Sequence, residues 1–196
     1  MKITIEGREI EVTNKKAKEI REILGIKQKS LAEVAVGDTF RIGEYEFIKF
    51  SDNNGQTIAV SKDSLFDSNF DPNTNNFAKS ALYEQLVKEV LPKIEKIVGA
   101  ENIVEFETDL FTADGLDIYG TTKSKISLPT FDFYRANRAI FGKYPLDNWW
   151  WTSTANGGER LVICVSPRGR IRGNYSHFYD IGVRPFLIFL SNIFVS

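Results

Sequence analysis

Asn148-Trp149-Trp150-Trp151-Thr152-Ser153 and Gly182-Val183-Arg184-Pro185-Phe186 bracket the part of this chain that decides its fold, a β-rich module over residues 148–189. Inside it, residues 160–166 and 170–175 flank Pro167-Arg168-Gly169, where Gly169 can take the positive φ of a hairpin bulge. The alternation expected of a half-buried strand turns Leu161, Ile163 and Val165 toward the core and Arg160, Val162, Cys164 and Ser166 away from it. Arg170 and Arg172 then share a face, with Arg168 at the tip, which predicts a basic, solvent-facing ridge. Asn174-Tyr175-Ser176-His177-Phe178-Tyr179-Asp180 follows, too polar for a core strand and rich in the Tyr, Asn and Ser that suit recognition.

Working outward, residues 2–5 and 9–12 alternate around Gly7-Arg8 as a hairpin. Thr13 caps an amphipathic helix over residues 14–24, with Ala17, Ile20, Ile23 and Leu24 as its apolar stripe and Gly25 as its stop. Residues 1–34 thus read as an N-terminal β-hairpin and helix appendage, a handle for docking or for an oligomer, and residues 35–196 as the main domain. That domain opens with strands at 39–42, 45–51 and 57–61 around an Asn53-Asn54-Gly55 turn, followed by a polar loop over 67–76. A helix over 80–98 carries Leu82, Leu86, Val90, Ile94 and Val98, and Pro92 is expected to kink or split it. Strands at 103–108 and 125–128 flank a loop around Asp114-Gly115, and a short helix over 130–140 starts at Thr130.

The 196 residues carry 25 basic and 26 acidic side chains, a formal net charge of -1, which supplies no overall field for a nucleic-acid backbone. Cys164 is the single cysteine, so neither an intramolecular disulfide nor a Cys-based zinc site is available, and a reducing cytoplasm is the expected setting. The most apolar run, residues 186–195, falls well short of the roughly 20 residues a bilayer demands, so no membrane contact is expected.

Taken in order, Val36-Gly37-Asp38-Thr39-Phe40, Ile126-Ser127-Leu128-Pro129-Thr130, the Trp149-Trp150-Trp151-Thr152-Ser153 block, Val165-Ser166-Pro167-Arg168-Gly169 and Gly182-Val183-Arg184-Pro185 resemble an uncharacterised domain family of bacteria and their phages over residues 36–190. The closing strand also looks like that of the C-type-lectin-like fold, shared by formylglycine-generating enzymes and by variable proteins that retroelements diversify. The resemblance implies an α+β, C-type-lectin-like mixed domain of antiparallel strands with two to three helices. It makes Trp150, Trp151, Arg184 and Pro185 scaffold and places ligand contacts among exposed positions between Thr152 and Asp180. A lone Cys164 rules out the copper-ligating cysteines of a formylglycine-generating enzyme, and the calcium-loop tripeptides of sugar-binding lectins are missing.

The residues expected to contact a partner are Asn156, Arg160, Arg168, Arg170, Arg172, Asn174, Tyr175, His177 and Tyr179. No catalytic residue, metal or cofactor is assigned. The expected function is a non-enzymatic binding protein, phage or prophage encoded, engaging a protein; a nucleotide or RNA is the other class of ligand an Arg and Tyr face could take. Alternatives are a retroelement-diversified variable protein, a virion component, or an enzyme acting on a nucleotide or peptide through His177 and the acidic loop of Glu105, Glu107, Asp109, Asp114 and Asp117.

Overall fold

A computed structural model describes residues 28–157 and 160–196, with residues 2–5, 8–11, 13, 16, 19, 20 and 23 of the N-terminal element. β1 (Lys2–Ile5) and β2 (Arg8–Glu11) form the expected hairpin, in register from Lys2↔Glu11 to Ile5↔Arg8. Residues 16, 19, 20 and 23 are helical, and the Lys16 amide donates to Thr13 Oγ1 at 3.4 Å, the N-cap bond the sequence predicts. Ile23 is 83% exposed. Ala17 and Leu24, the other ends of the expected stripe, lie outside the described residues, as do Gly7 and Gly158.

The main body begins before the expected boundary at residue 35. β3 (Lys29–Ser30) pairs with β16 (Phe194–Val195), and Leu31 is fully buried in the core. Between these ends run β4 (Thr39–Ile42), β5 (Tyr45–Asn53), β6 (Gln56–Ser61), β7 (Asp67–Ser68), β8 (Phe106–Asp109), β9 (Thr121–Ser124), β10 (Ile126–Ser127), β11 (Trp150–Ala155), β12 (Leu161–Val165), β13 (Ile171–Tyr175), β14 (Ile181–Gly182) and β15 (Phe186–Leu190). Ten of them build two five-stranded sheets, ordered β10-β15-β6-β5-β4 and β13-β12-β11-β14-β7, while β8 and β9 pair apart; among the described residues β11 and β14 are the one parallel pair in these sheets. The chain is therefore mixed α+β with antiparallel sheets. Two sequence expectations need correction here. Asp67–Ser68 is a strand capping β14 rather than loop, and the stretch between β8 and β10 is not all loop, since the polar Thr121–Ser124 forms β9 and pairs with β8.

The long helix shows how sequence spacing sets backbone geometry. Residues spaced by four drift about 40° per step around an ideal helix, so a stripe at 82, 86, 90 and 94 would spiral off the core. The chain instead runs α over Ala81–Gln85, π over Leu86–Val90 and α over Leu91–Val98. The wider π turn keeps Leu82, Leu86, Val90 and Ile94 buried on one side. It also accommodates Pro92: the Leu91 amide donates to Leu86 O, five residues back, at the point where the proline ring would crowd an α-helical carbonyl.

Trp150 and Trp151 point to opposite faces of β11 and hold two cores together. Trp151, fully buried, enters the larger cluster beside Phe70, Val162 and Cys164, while Trp150 enters the second with Tyr134, Phe141 and Val165. β12 lies inside its sheet, and both its faces are covered. The expected alternation along it fails for that reason: Val162, Ile163, Cys164 and Val165 are all buried.

Every residue of Gly182-Val183-Arg184-Pro185 has a packing role. A Cβ on Gly182 would sit 2.8 Å from Ser64 Oγ and 3.1 Å from Trp149 O, so only glycine allows this approach. Val183 is fully buried, Arg184 Nε donates to Ser61 O at 2.9 Å, and Pro185 O accepts from the Ser61 amide.

Candidate functional site

The β12–β13 hairpin runs in register from Leu161↔Tyr175 to Val165↔Ile171, with β13 at the edge of its sheet. This antiparallel geometry keeps the three arginines of the expected ridge at one end of the hairpin and Arg160 at the other. Arg168, Arg170 and Arg172 gather at the turn end, whereas Arg160 lies at the other end beside Tyr175, a strand length of about 15 Å away. The Arg160 carbonyl accepts from the Ser176 amide there.

At the turn end Arg168, Arg170 and Arg172 line a shallow cavity of about 250 Å³ against Trp149, floored by Ser166 and Pro167. All three arginines are exposed. The turn is fixed locally: the Gly169 amide donates to Ser166 O, the Arg170 amide to Ser166 Oγ, and the Tyr134 hydroxyl to Gly169 O. Gly169 has φ +71°, and a Cβ there would lie 2.9 Å from Tyr134 Oη. Gly169→Ala is expected to cost about 1–2 kcal/mol from the left-handed backbone alone, read as a lower midpoint of urea unfolding; an unchanged midpoint would show that the turn relaxes freely.

At the other end the rings of Tyr175 and His177 stack at 5.5 Å, and Phe178 closes on them at 5.3 Å from His177 and 6.1 Å from Tyr175. Tyr175 and Phe178 are each 47% exposed and Tyr179 71%. The base of this cap is rigid. Ser176 is fully buried, its amide donates to Arg160 O, and its carbonyl accepts from the amides of Phe70 and Asp71. Asp180 leaves the segment at φ +64°.

Asn156 and Asn174 are placed differently from the other expected contacts. The Asn156 side chain covers Gly173, where a Cβ would overlap its Nδ2. Asn174 Nδ2 donates to Cys164 Sγ at 3.0 Å. Both serve the hairpin from within. Cys164 is fully buried, its thiol donates to Arg172 O at 3.3 Å, and burial pushes that thiol up to about 12. At neutral pH it stays protonated and is a poor nucleophile.

The acidic loop is likewise occupied with itself. Asp109 Oδ1 accepts from the Phe111 amide, Asp117 Oδ1 from the Gly120 amide, and Asp114 from the Thr112 hydroxyl. Among the described residues no group of three or more His, Cys, Asp or Glu side chains is placed to hold a metal ion. The cavity beside the loop is lined by Asp109, Thr112, Asp132 and Arg135 among others, and His177 is not one of them.

Two contributors, Phe178 and Trp149, are absent from the contacts expected from the sequence. Phe178 could have been picked out, as a large apolar residue in a polar segment. Trp149 carries no such signal, since the residues that follow it in its block, Trp150 to Ser153, are buried. No model of a known protein family matches this chain, and neither does any curated protein or solved structure.

Proposed function

We propose that this chain is a non-enzymatic binding protein that engages a protein partner through the surface of its C-terminal hairpin. The observation that carries this reading is the aromatic cap. Tyr175, His177, Phe178 and Tyr179 stand in solvent on a segment whose backbone is locked at Ser176. Exposed aromatic area on a rigid base gives contact at small entropic cost, which is what recognition surfaces use. The arginines beside Trp149 add a basic flank suited to acidic side chains of the partner.

The reading includes a C-type-lectin-like domain, supported by two mainly antiparallel sheets and by the buried Gly182-Val183-Arg184-Pro185 segment joining them. It also includes a phage or prophage origin, which rests on the ordered motifs of residues 36–190. A cytoplasmic setting is supported by the single buried cysteine, and among the described residues no helix is long and apolar enough to cross a membrane.

Replacing Tyr175, Phe178 and Tyr179 together with serine is expected to remove the proteins that the wild-type chain retains from host lysate, with unfolding stability within about 0.5 kcal/mol per site because these side chains are exposed. Retention of the same proteins by the triple variant would overturn the assignment of the cap. Hydrolysis of nucleotides or peptides that disappears in His177→Ala would replace the binding reading with an enzymatic one.

A further inference from the structure

We propose that Arg184 forms the floor of a binding site for a small oxyanion, a phosphate or carboxylate group, entered between the β12–β13 turn and the helix Arg138–Phe141. The site goes beyond the protein-binding reading and shares with it Arg168 and the turn residues Ser166 and Pro167. Its cavity measures about 190 Å³, below the roughly 300 Å³ at which pockets for drug-sized molecules begin. Tyr134, Phe141 and Trp150 wall it, and Arg138, Arg168 and Arg184 line it. Among the described residues lining it there is no carboxylate.

Arg184 makes the site a built one. Its side chain is 1% exposed, Nε donates to Ser61 O, and among the described residues Nη2 has no hydrogen-bond partner at all. Its guanidinium lies over the Phe141 ring at 5.2 Å and the Trp150 ring at 5.3 Å. Ring faces offset part of the desolvation cost of a buried cation but accept no N–H. A guanidinium presents five donors in a fixed fork matched to oxyanion geometry, and one left unpaired in a buried site is destabilising until an acceptor arrives. Burial pulls the group down to about 10, with the exposed Asp63 favouring its charge, so the cation persists at neutral pH. Arg138 and Arg168, both exposed, stand at the mouth and supply attraction from solvent.

The test is calorimetric titration of the full chain with inorganic phosphate at fixed ionic strength, and separately with acetate and with benzoate. A saturable one-site isotherm is expected for at least one of these anions, and the tightest identifies phosphate or carboxylate as the group recognised. Arg184→Met should weaken it at least tenfold, and Arg138→Met about two- to fivefold. Should Arg184→Met fail to give the circular dichroism of the native chain, Leu146→Trp fills the cavity with all three arginines intact and should abolish binding. Absence of saturation with all three anions, or isotherms unchanged in Arg184→Met or Leu146→Trp, would overturn the proposal.

Discussion

Trp151→Ala is expected to lower the unfolding free energy by about 3–5 kcal/mol and the melting temperature by roughly 6–20 °C for a chain of this length. Three effects add. The largest buried side chain is removed from the cluster that also holds Phe70, Val162 and Cys164, leaving a cavity that rigid neighbours refill only partly. The edge-to-face contact with Phe70, at 5.7 Å between ring centroids, disappears. Finally, the Nε1 donor to Ser68 O at 2.9 Å is lost, and with it a tie between β7 and β11 across the intervening β14. Trp151→Phe restores most of the ring volume but not the donor, and should recover more than half the loss. Equilibrium urea unfolding measures both variants; a loss under about 1 kcal/mol for alanine would mean that the core closes over the site.

What was legible in the sequence is what local chemistry dictates. Asn54-Gly55 and Gly169 specify their turns whatever surrounds them, and both hairpins lie where expected. Thr130 announces its helix because an N-cap acts within one turn, and its Oγ1 accepts from the Phe133 amide. Pro92 marks the irregular turn for the same reason. Burial on two sides was not legible: a strand covered on both faces has no alternation to read, so Val162 and Cys164 were assigned to solvent although they are core. Arg168, Arg170 and Arg172 lie together because one tight turn joins their strands, whereas Arg160 is carried a strand length away from them. Thr121–Ser124 has no apolar signal because this two-stranded pairing with β8 leaves most of its side chains outside the core. The cap exposes Tyr175, Phe178 and Tyr179 because Ser176 alone is turned inward, a contact with Phe70 and Asp71 that spans about a hundred residues and leaves no local trace.

The second large effect belongs to a polar cluster that ties the start of the main body to its end. Lys49 is 1% exposed, and its ammonium donates to Leu31 O at 2.8 Å and to Asp52 Oδ2 at 2.6 Å. Ser191 donates to Asp52 Oδ1, and Ser30 donates to Ser191 O. The two ions are unequally buried, with the Asp52 side chain 25% exposed against 1% for Lys49, so removing either partner has unequal consequences. Asp52→Asn strands an ammonium in the interior and is expected to cost about 3 kcal/mol. Lys49→Met keeps the stem, removes the cation that was costly to desolvate, and leaves a carboxylate that water can reach, so its cost should be about half as large. The double variant should lie above Asp52→Asn in stability, and a double-mutant cycle in which Asp52→Asn is the milder change would refute this account.

The same cluster sets the acid limb of stability. Burial pushes the Asp52 carboxyl up, but hydrogen bonds from Lys49 and Ser191 outweigh it and hold the group below its ordinary value. The folded state thus binds this proton more weakly than the unfolded state does. Asp52 stabilises the fold fully above the unfolded value of about 3.9, and the contribution fades as pH falls through the lower folded value. Urea midpoints of the wild-type chain should therefore drop below about pH 4, and the drop should be shallower in Asp52→Asn, which has no proton to take up there. Parallel acid limbs in the two proteins would assign the loss to other carboxylates, such as Glu46, which Lys62 and Thr39 hold low in the same way against the upward push of burial.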